Sequence, residues 1–231
     1  MAFVPLKGFN KPLISISNKG RKMPWKKAVL LIFALFISHA VLAEWGEGWD
    51  PIEPPIPTNV EDGKVEVLEF FWYGCPHCFH LEAAMEDWVS KQKNIEFHMV
   101  PAPLNPKWTV HSHFFYAAEA LGVLDKLHNP LFEAIHQERR NLFDKDSLID
   151  FAVAHGVDRK AFTDAWNSFS VFVKVQQARK LTKQFQLSGV PTVGINGKYK
   201  TSASLAGSTE KMFAIMDELI AVESKPQPAT P

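Results

Sequence analysis

The sequence predicts an α/β fold: a β-α-β unit, a long all-helical insertion, and a return to the sheet through a hairpin. Three observations carry this expectation. Val65 to Trp72 is a run of β-branched and aromatic residues with the composition of a buried strand. After a break at Gly74, Phe79, Ala83, Met85, Trp88 and Val89 recur at helical spacing, and Ile95 to Val100 then alternates as a parallel partner strand. From about Lys107 to Asn167 the pattern is helical throughout, and two short β runs later flank Asn196-Gly197, a strong type I′ hairpin signal.

With 231 residues and 46% hydrophobic composition, the chain can bury a sizeable core as one domain, or one domain with an insertion. Its formal charge of zero hides an asymmetry. Seven basic residues and no acidic one precede Glu44, which leaves 18 basic against 25 acidic residues, a net of −7. So acidic a mature protein is a poor candidate for nucleic-acid binding.

The basic start ends in Lys26-Lys27, followed by an apolar run from Ala28 to Ala43 that closes on small residues. These are the marks of a secretory signal, residues 1–43, with cleavage expected after Ala43 and Ala40 as the alternative. The segment is long for a leader, so Met23 is a candidate initiator. An uncleaved anchor is the competing reading, although the run falls short of the roughly 20 residues a spanning helix needs. No cysteine lies near its end to accept a lipid. Residues 44–63 carry Pro51, Pro54, Pro55 and Pro57, a composition that predicts an extended arm.

Strand, tight break, then helix places Cys75 of Cys75-Pro76-His77-Cys78 at a helix N-terminus, with Pro76 in the first turn, where its missing N–H costs nothing. Unpaired backbone N–H groups and the positive end of the helix dipole favour an anion there, so Cys75 is expected to ionise below its free value. His77 adds a donor and, when protonated, a positive charge. Stabilising the thiolate stabilises only the reduced form, which makes the pair an oxidant. Cys78, one turn further, is expected to be more buried and to act as the resolving thiol.

Both cysteines of an exported chain in one C-x-x-C suggest a redox pair. A structural staple across two residues would constrain little unfolded-state entropy. A zinc site would have to crowd His77 and His80 with both cysteines into six residues, poor geometry for a tetrahedron.

Within the insertion, helices are expected over Val110 to Ala120, Pro130 to Arg139 with Pro130 in its first turn, Ser147 to Ala154 capped by Asp146 or Asp144, and Lys160 to Ser168 capped by Asp158. His111, His113, His128, His136 and His155 are scattered through them and read as surface or capping residues. A long helix from Ser170 to Phe185 leads back to the sheet. Thr192 to Ile195 and Tyr199 to Ser202 form the hairpin, and Ser208 caps a last helix over Thr209 to Val222. Residues 224–231 read as a disordered tail.

Phe71-Trp72-Tyr73-Gly74-Cys75-Pro76-His77-Cys78, with Gly189-Val190-Pro191-Thr192 and Asn196-Gly197-Lys198-Tyr199, resembles the DsbA family of periplasmic thiol:disulfide oxidoreductases over about Lys64 to Val222. The resemblance implies a thioredoxin fold with an α-helical insertion, the thioredoxin-like part being residues 64–104 and 171–223 and the insertion 105–170. A low-pKa, strongly oxidising cysteine is a known property of that family, and it enters here as an implication of the resemblance. The same resemblance implies that Pro191 is cis opposite the cysteine pair and that Val190 offers its backbone to an extended substrate. It also gives Glu69 a place beneath the cysteines and a part in proton transfer. Against that, Glu69 could face solvent on the opposite side of its strand. The family's usual lysine partner for this acid is not evident in the next strand, where Glu96 stands near its place.

The resemblance further implies a periplasmic, monomeric enzyme with no cofactor beyond the Cys75–Cys78 disulfide. Its substrates would be newly translocated thiol-containing proteins, and a quinone-linked membrane partner of the DsbB type would reoxidise it. A reductase or isomerase on the same fold is the nearest rival, although the arm is too short to be the dimerisation domain of DsbC-type isomerases. A non-catalytic binding or chaperone protein with an inert bond is the rival from another class.

Overall fold

The computed structural model describes residues 47–61 and 63–224. The expected leader, its cleavage site and residues 225–231 of the expected tail lie outside the described residues, whereas Ser224, placed in that tail by the sequence, caps the last helix with its N–H bonded to Ile220 C=O at 2.9 Å. No helix among those described is long and apolar enough to cross a membrane.

One mixed five-stranded sheet organises the chain, in the order β1-β5-β4-β2-β3. Its centre is β2 (Val65–Phe71), which pairs in parallel with β3 (Ile95–Pro101) and antiparallel with β4 (Thr192–Ile195). The helix α1 (Pro76–Lys91) joins β2 to β3. The strand β5 (Tyr199–Thr201) follows β4 through the expected hairpin, with Asn196 at φ 50° and Gly197 at φ 65°, both in the left-handed region that a type I′ turn requires. A Cβ at Gly197 would sit 1.9 Å from the Ile56 carbonyl oxygen, so only glycine admits this approach.

The Pro-rich segment is more than an arm. Trp49–Pro51 forms β1, antiparallel to β5, and Ile52 and Ile56 are buried. Backbone bonds from Ile52 N–H to Lys198 C=O (2.7 Å) and from Ile56 N–H to Gly197 C=O (2.8 Å) extend the attachment. Its prolines sit at the sheet edge, where a missing donor leaves no ladder bond unmade.

The insertion comprises α2 (Pro106–Ala120), α3 (Leu124–His136), α4 (Lys145–Ala154) and α5 (Arg159–Trp166), and α6 (Phe169–Gln184) returns to the sheet. Asp144 and Asp158 cap α4 and α5 through their carboxylates, as the sequence indicates. The helix α2 starts four residues earlier than expected, because Asn105 accepts from Trp108 N–H and Pro106 occupies the first turn. Pro130 lies inside α3, not in its first turn. The buried stripe Leu127, Leu131, Phe132 and Ile135 runs past it, and burying that face outweighs one missing backbone bond. The chain ends with α7 (Ala203–Ala206), a short turn the sequence did not signal, and α8 (Thr209–Glu223), capped by Ser208.

Both faces of the sheet are covered. On one, Val65, Val67, Val193 and Ile195 pack against Leu81, Met85 and Trp88 of α1 and Met212 and Met216 of α8. On the other, Leu68 and Phe70 join Phe114, Leu131, Phe162 and Phe185 in the helical layer. Side chains alternate along a strand, so Glu69 falls on the face of Val65 and Val67, under α1. No residue of the centre of β2 can point to water.

Candidate active site

The chain leaves β2 through Trp72-Tyr73-Gly74 and enters α1 with Cys75 as its N-cap, at φ −94° and ψ 115°. Cys75 N–H donates to Trp72 C=O at 2.9 Å, and Phe79 N–H donates back to Cys75 C=O at 3.1 Å. The loop is braced from the insertion. His136 donates from Nε2 to Tyr73 C=O at 2.8 Å and stacks on Phe79, ring centroids 5.1 Å apart. Trp72 stacks face to face on Trp108 at 4.4 Å, and a Cβ at Gly74 would strike its indole at 2.4 Å.

The two cysteines, present as thiols, are chemically unequal. Cys75 Sγ accepts from Cys78 N–H at 3.4 Å and lies 3.4 Å from Val190 C=O. The hydrogen bond from the Cys78 thiol, opposed by burial and supported by the N–H groups of Cys78 and His77 and by the His77 charge, lowers the Cys75 pKa from 9.0 to about 6. The Cys78 thiol, which the sequence reading did not count among the stabilisers, outweighs His77 here. His77 is exposed and acts through its backbone as well as its ring. Cys75 itself is only 8% exposed, against 0% for Cys78. Burial, and then the hydrogen bond and charge of Cys75, push the Cys78 pKa up.

Val190-Pro191 closes the site from the far end of α6, and this peptide bond is cis. Val190, Pro191, His77 and His80 line a groove of about 420 Å³ whose wall continues through Leu187, Lys200, Asp50 and Ser202. Its lining mixes apolar and hydrogen-bonding side chains.

Glu69 is 1% exposed, and burial followed by the neighbouring Glu82 charge raises its pKa. The residue opposite it on β3 is Met99, whereas Glu96 pairs with Glu66. Glu96 is therefore not the local substitute for a lysine, as the sequence placed it; the charged neighbour is Glu82, from α1. Two histidines read as surface or capping residues are core groups. His111 is wholly buried, donates from Nε2 to Leu142 C=O at 2.7 Å, and has its pKa lowered to about 4 by burial. His128 is 5% exposed, between Tyr73 and Glu82. Of the others, His155 does cap α4 and bonds Phe151 C=O through its ring.

Glu82 escaped the sequence reading, and His128 was given no role beyond surface or cap. One signal for Glu82 was present: it follows Cys78 by four residues and so shares its helix face.

The DSBA-like thioredoxin domain family matches residues 66–215. The thiol:disulfide interchange protein DsbA of Burkholderia cepacia is 43% identical over 176 residues, covering 76% of this chain and 83% of that protein. Its namesake from Pseudomonas aeruginosa is 36% identical over 199 residues, covering 85% and 94%. The crystal structure of P. aeruginosa DsbA superposes with a TM-score of 0.73 at 37% identity, covering 77% of this chain and 93% of that one. Family match, fold and an unequal C-x-x-C pair at a helix N-terminus agree: the chain belongs to the DsbA-like thioredoxin-domain family of thiol:disulfide oxidoreductases.

Proposed function

We propose that the protein works as a dithiol oxidant for exported proteins, with Cys75 as the attacked sulfur and Cys78 as the resolving one. The observation that supports this reading is the depressed pKa of Cys75 at the N-cap of α1. At pH 7 a group of pKa about 6 is ionised about 90% of the time, whereas one of pKa about 9 is ionised about 1% of the time. Stabilising that thiolate favours the reduced enzyme and weakens its disulfide.

A substrate thiolate attacks Cys75 Sγ of the disulfide, the Cys75–Cys78 bond breaks, and its electron pair leaves on Cys78. A second substrate thiolate attacks the substrate sulfur of the mixed disulfide and expels Cys75 as its thiolate. Cys78 is too buried to remain charged, so it takes a proton on leaving; Glu69, buried on the α1 side of β2, is the donor. Pro76 holds the first turn open to the anion, and His77 supplies an N–H and a charge. In the disulfide form Cys75 carries no S–H to donate to Val190 C=O, which is then free to accept from an extended substrate backbone.

The chemistry needs no cofactor other than the Cys75–Cys78 disulfide. Newly translocated thiol-containing proteins would be the substrates, in the periplasm after removal of residues 1–43. A quinone-linked membrane oxidant of the DsbB type would restore the disulfide. Equilibration with glutathione tests the direction. An oxidant gives a potential well above the roughly −270 mV of a thioredoxin, and a value as low as that would make the protein a reductase.

A further inference from the structure

Beneath the cysteine pair four titratable side chains are buried: Glu69 on β2, Tyr73 in the loop, Glu82 on α1 and His128 on α3, none more than 8% exposed. The Tyr73 hydroxyl lies 2.8 Å from His128 Nδ1, and His128 Nε2 lies 3.1 Å from Glu82 Oε2. Among the described residues the Tyr73 hydroxyl has no other side-chain partner. A buried hydroxyl must donate, and the acceptor within reach is Nδ1. Nε2 therefore carries the ring proton and gives its hydrogen bond to Glu82.

Two donors in series end on the Glu82 carboxyl, and a hydrogen bond from an N–H favours the ionised over the neutral form of a carboxyl. The Glu69 carboxyl receives no such bond, and one oxygen of each carboxyl, Glu69 Oε1 and Glu82 Oε1, is without a partner. A cavity of about 400 Å³ runs between α1, β3 and α3 and touches both carboxyls and His128. The other titratable groups on its wall are Glu86 of α1 and Asp125 of α3, β3 contributing only Phe97 and Met99; no lysine or arginine lines it. With no lysine or arginine on the wall to offset two negative charges, two carboxyls in this setting keep one proton between them.

We propose that His128 is a positioning residue for disulfide exchange: by donating to Glu82 it holds that carboxyl ionised and so places the shared proton on Glu69, beside the leaving Cys78. This rests on the roles given above to Cys75 and Cys78. When the Cys75–Cys78 bond breaks, its electron pair goes to Cys78 Sγ, the Glu69 proton follows, and Glu69 is left as a carboxylate. The acid-lined cavity then returns a proton from solvent to Glu69. Burial and the Glu82 charge both raise the Glu69 pKa, in keeping with this placement.

The test compares His128→Leu, which removes the donor, with His128→Gln, which restores an N–H. Infrared spectroscopy of the oxidised protein reads protonated buried carboxyls, and stopped-flow mixing with dithiothreitol between about pH 5 and 8 reads the exchange rate. The wild type should show one protonated carboxyl band, abolished by Glu69→Gln. In His128→Leu a second protonated carboxyl, that of Glu82, should appear, the pH profile of the exchange rate should shift to lower pH as Glu69 loses the neighbouring charge, and His128→Gln should recover both. A folded His128→Leu with an unchanged carboxyl spectrum and pH profile overturns the proposal, whatever its melting temperature. Should that variant not fold, Glu82→Gln decides: the pH at which the Glu69 band disappears must fall, and an unmoved midpoint overturns the proposal equally. The infrared readout does not depend on redox direction, so a reducing glutathione equilibrium would defeat the oxidant reading alone.

Discussion

The sulfur of Cys75 lies 3.4 Å from the carbonyl oxygen of Val190, 115 residues further along the chain. As a thiol, Cys75 can donate to that oxygen; as a thiolate it cannot. Loss of the S–H, by ionisation or by disulfide formation, leaves the Val190 carbonyl without that donor. On the proposed reading, that carbonyl is then an acceptor for substrate backbone beside the attacked sulfur.

Because this contact uses the backbone of Val190, its side chain is dispensable to the sulfur. Val190→Ala is expected to leave the Cys75 pKa unchanged in an alkylation titration. A clear rise would show that the valine side chain, not the carbonyl, sets the sulfur's surroundings.

The reduced and oxidised forms should differ in stability in a pH-dependent way. Cys75 is depressed from 9.0 to about 6, so its contribution to the reduced form is absent below pH 6, grows above it, and is complete above pH 9. Between about pH 5 and 8 the reduced form should gain about 2–3 kcal/mol on the oxidised form. Denaturant unfolding of both forms at the two pH values measures this, and a constant difference would contradict it.

His136 braces the turn before Cys75 through Tyr73 C=O and its stack on Phe79. His136→Ala should cost about 1–3 kcal/mol, the penalty of stranding a partly buried carbonyl and losing an aromatic contact. Thermal unfolding reads the loss. An unchanged midpoint would mean that water replaces the imidazole.

Gly194 of β4 faces the Phe185 ring, where a Cβ would come within 2.4 Å. Gly194→Ala should destabilise the fold by about 1–3 kcal/mol, and Phe185→Leu in the same chain should recover part of it. Additive losses would show that the two positions do not compete for this space.

What the sequence makes legible is local. The strand run into Gly74 and Cys75, the caps at Asp158 and Ser208, and the Asn196-Gly197 turn each depend on neighbours within a few residues, and each lies where the sequence indicates. The strand β1 was hidden because Trp49–Pro51 becomes a strand only by pairing with Tyr199–Thr201, and its prolines argue against that in isolation. Pro130 was misplaced because the buried stripe around it prevails over the local rule. The contact between His128 and Glu82 joins residues 46 apart across two layers. No spacing within either helix announces it.

The account depends on Cys75 being held as an anion near neutral pH. The most direct measurement is the pH dependence of iodoacetamide alkylation of Cys75 in the reduced protein, with Cys78 left in place because its thiol is the largest stabilising contact. Half-maximal reactivity near pH 6 is the predicted result. A midpoint near 8.5, the value of an ordinary cysteine, would contradict the account.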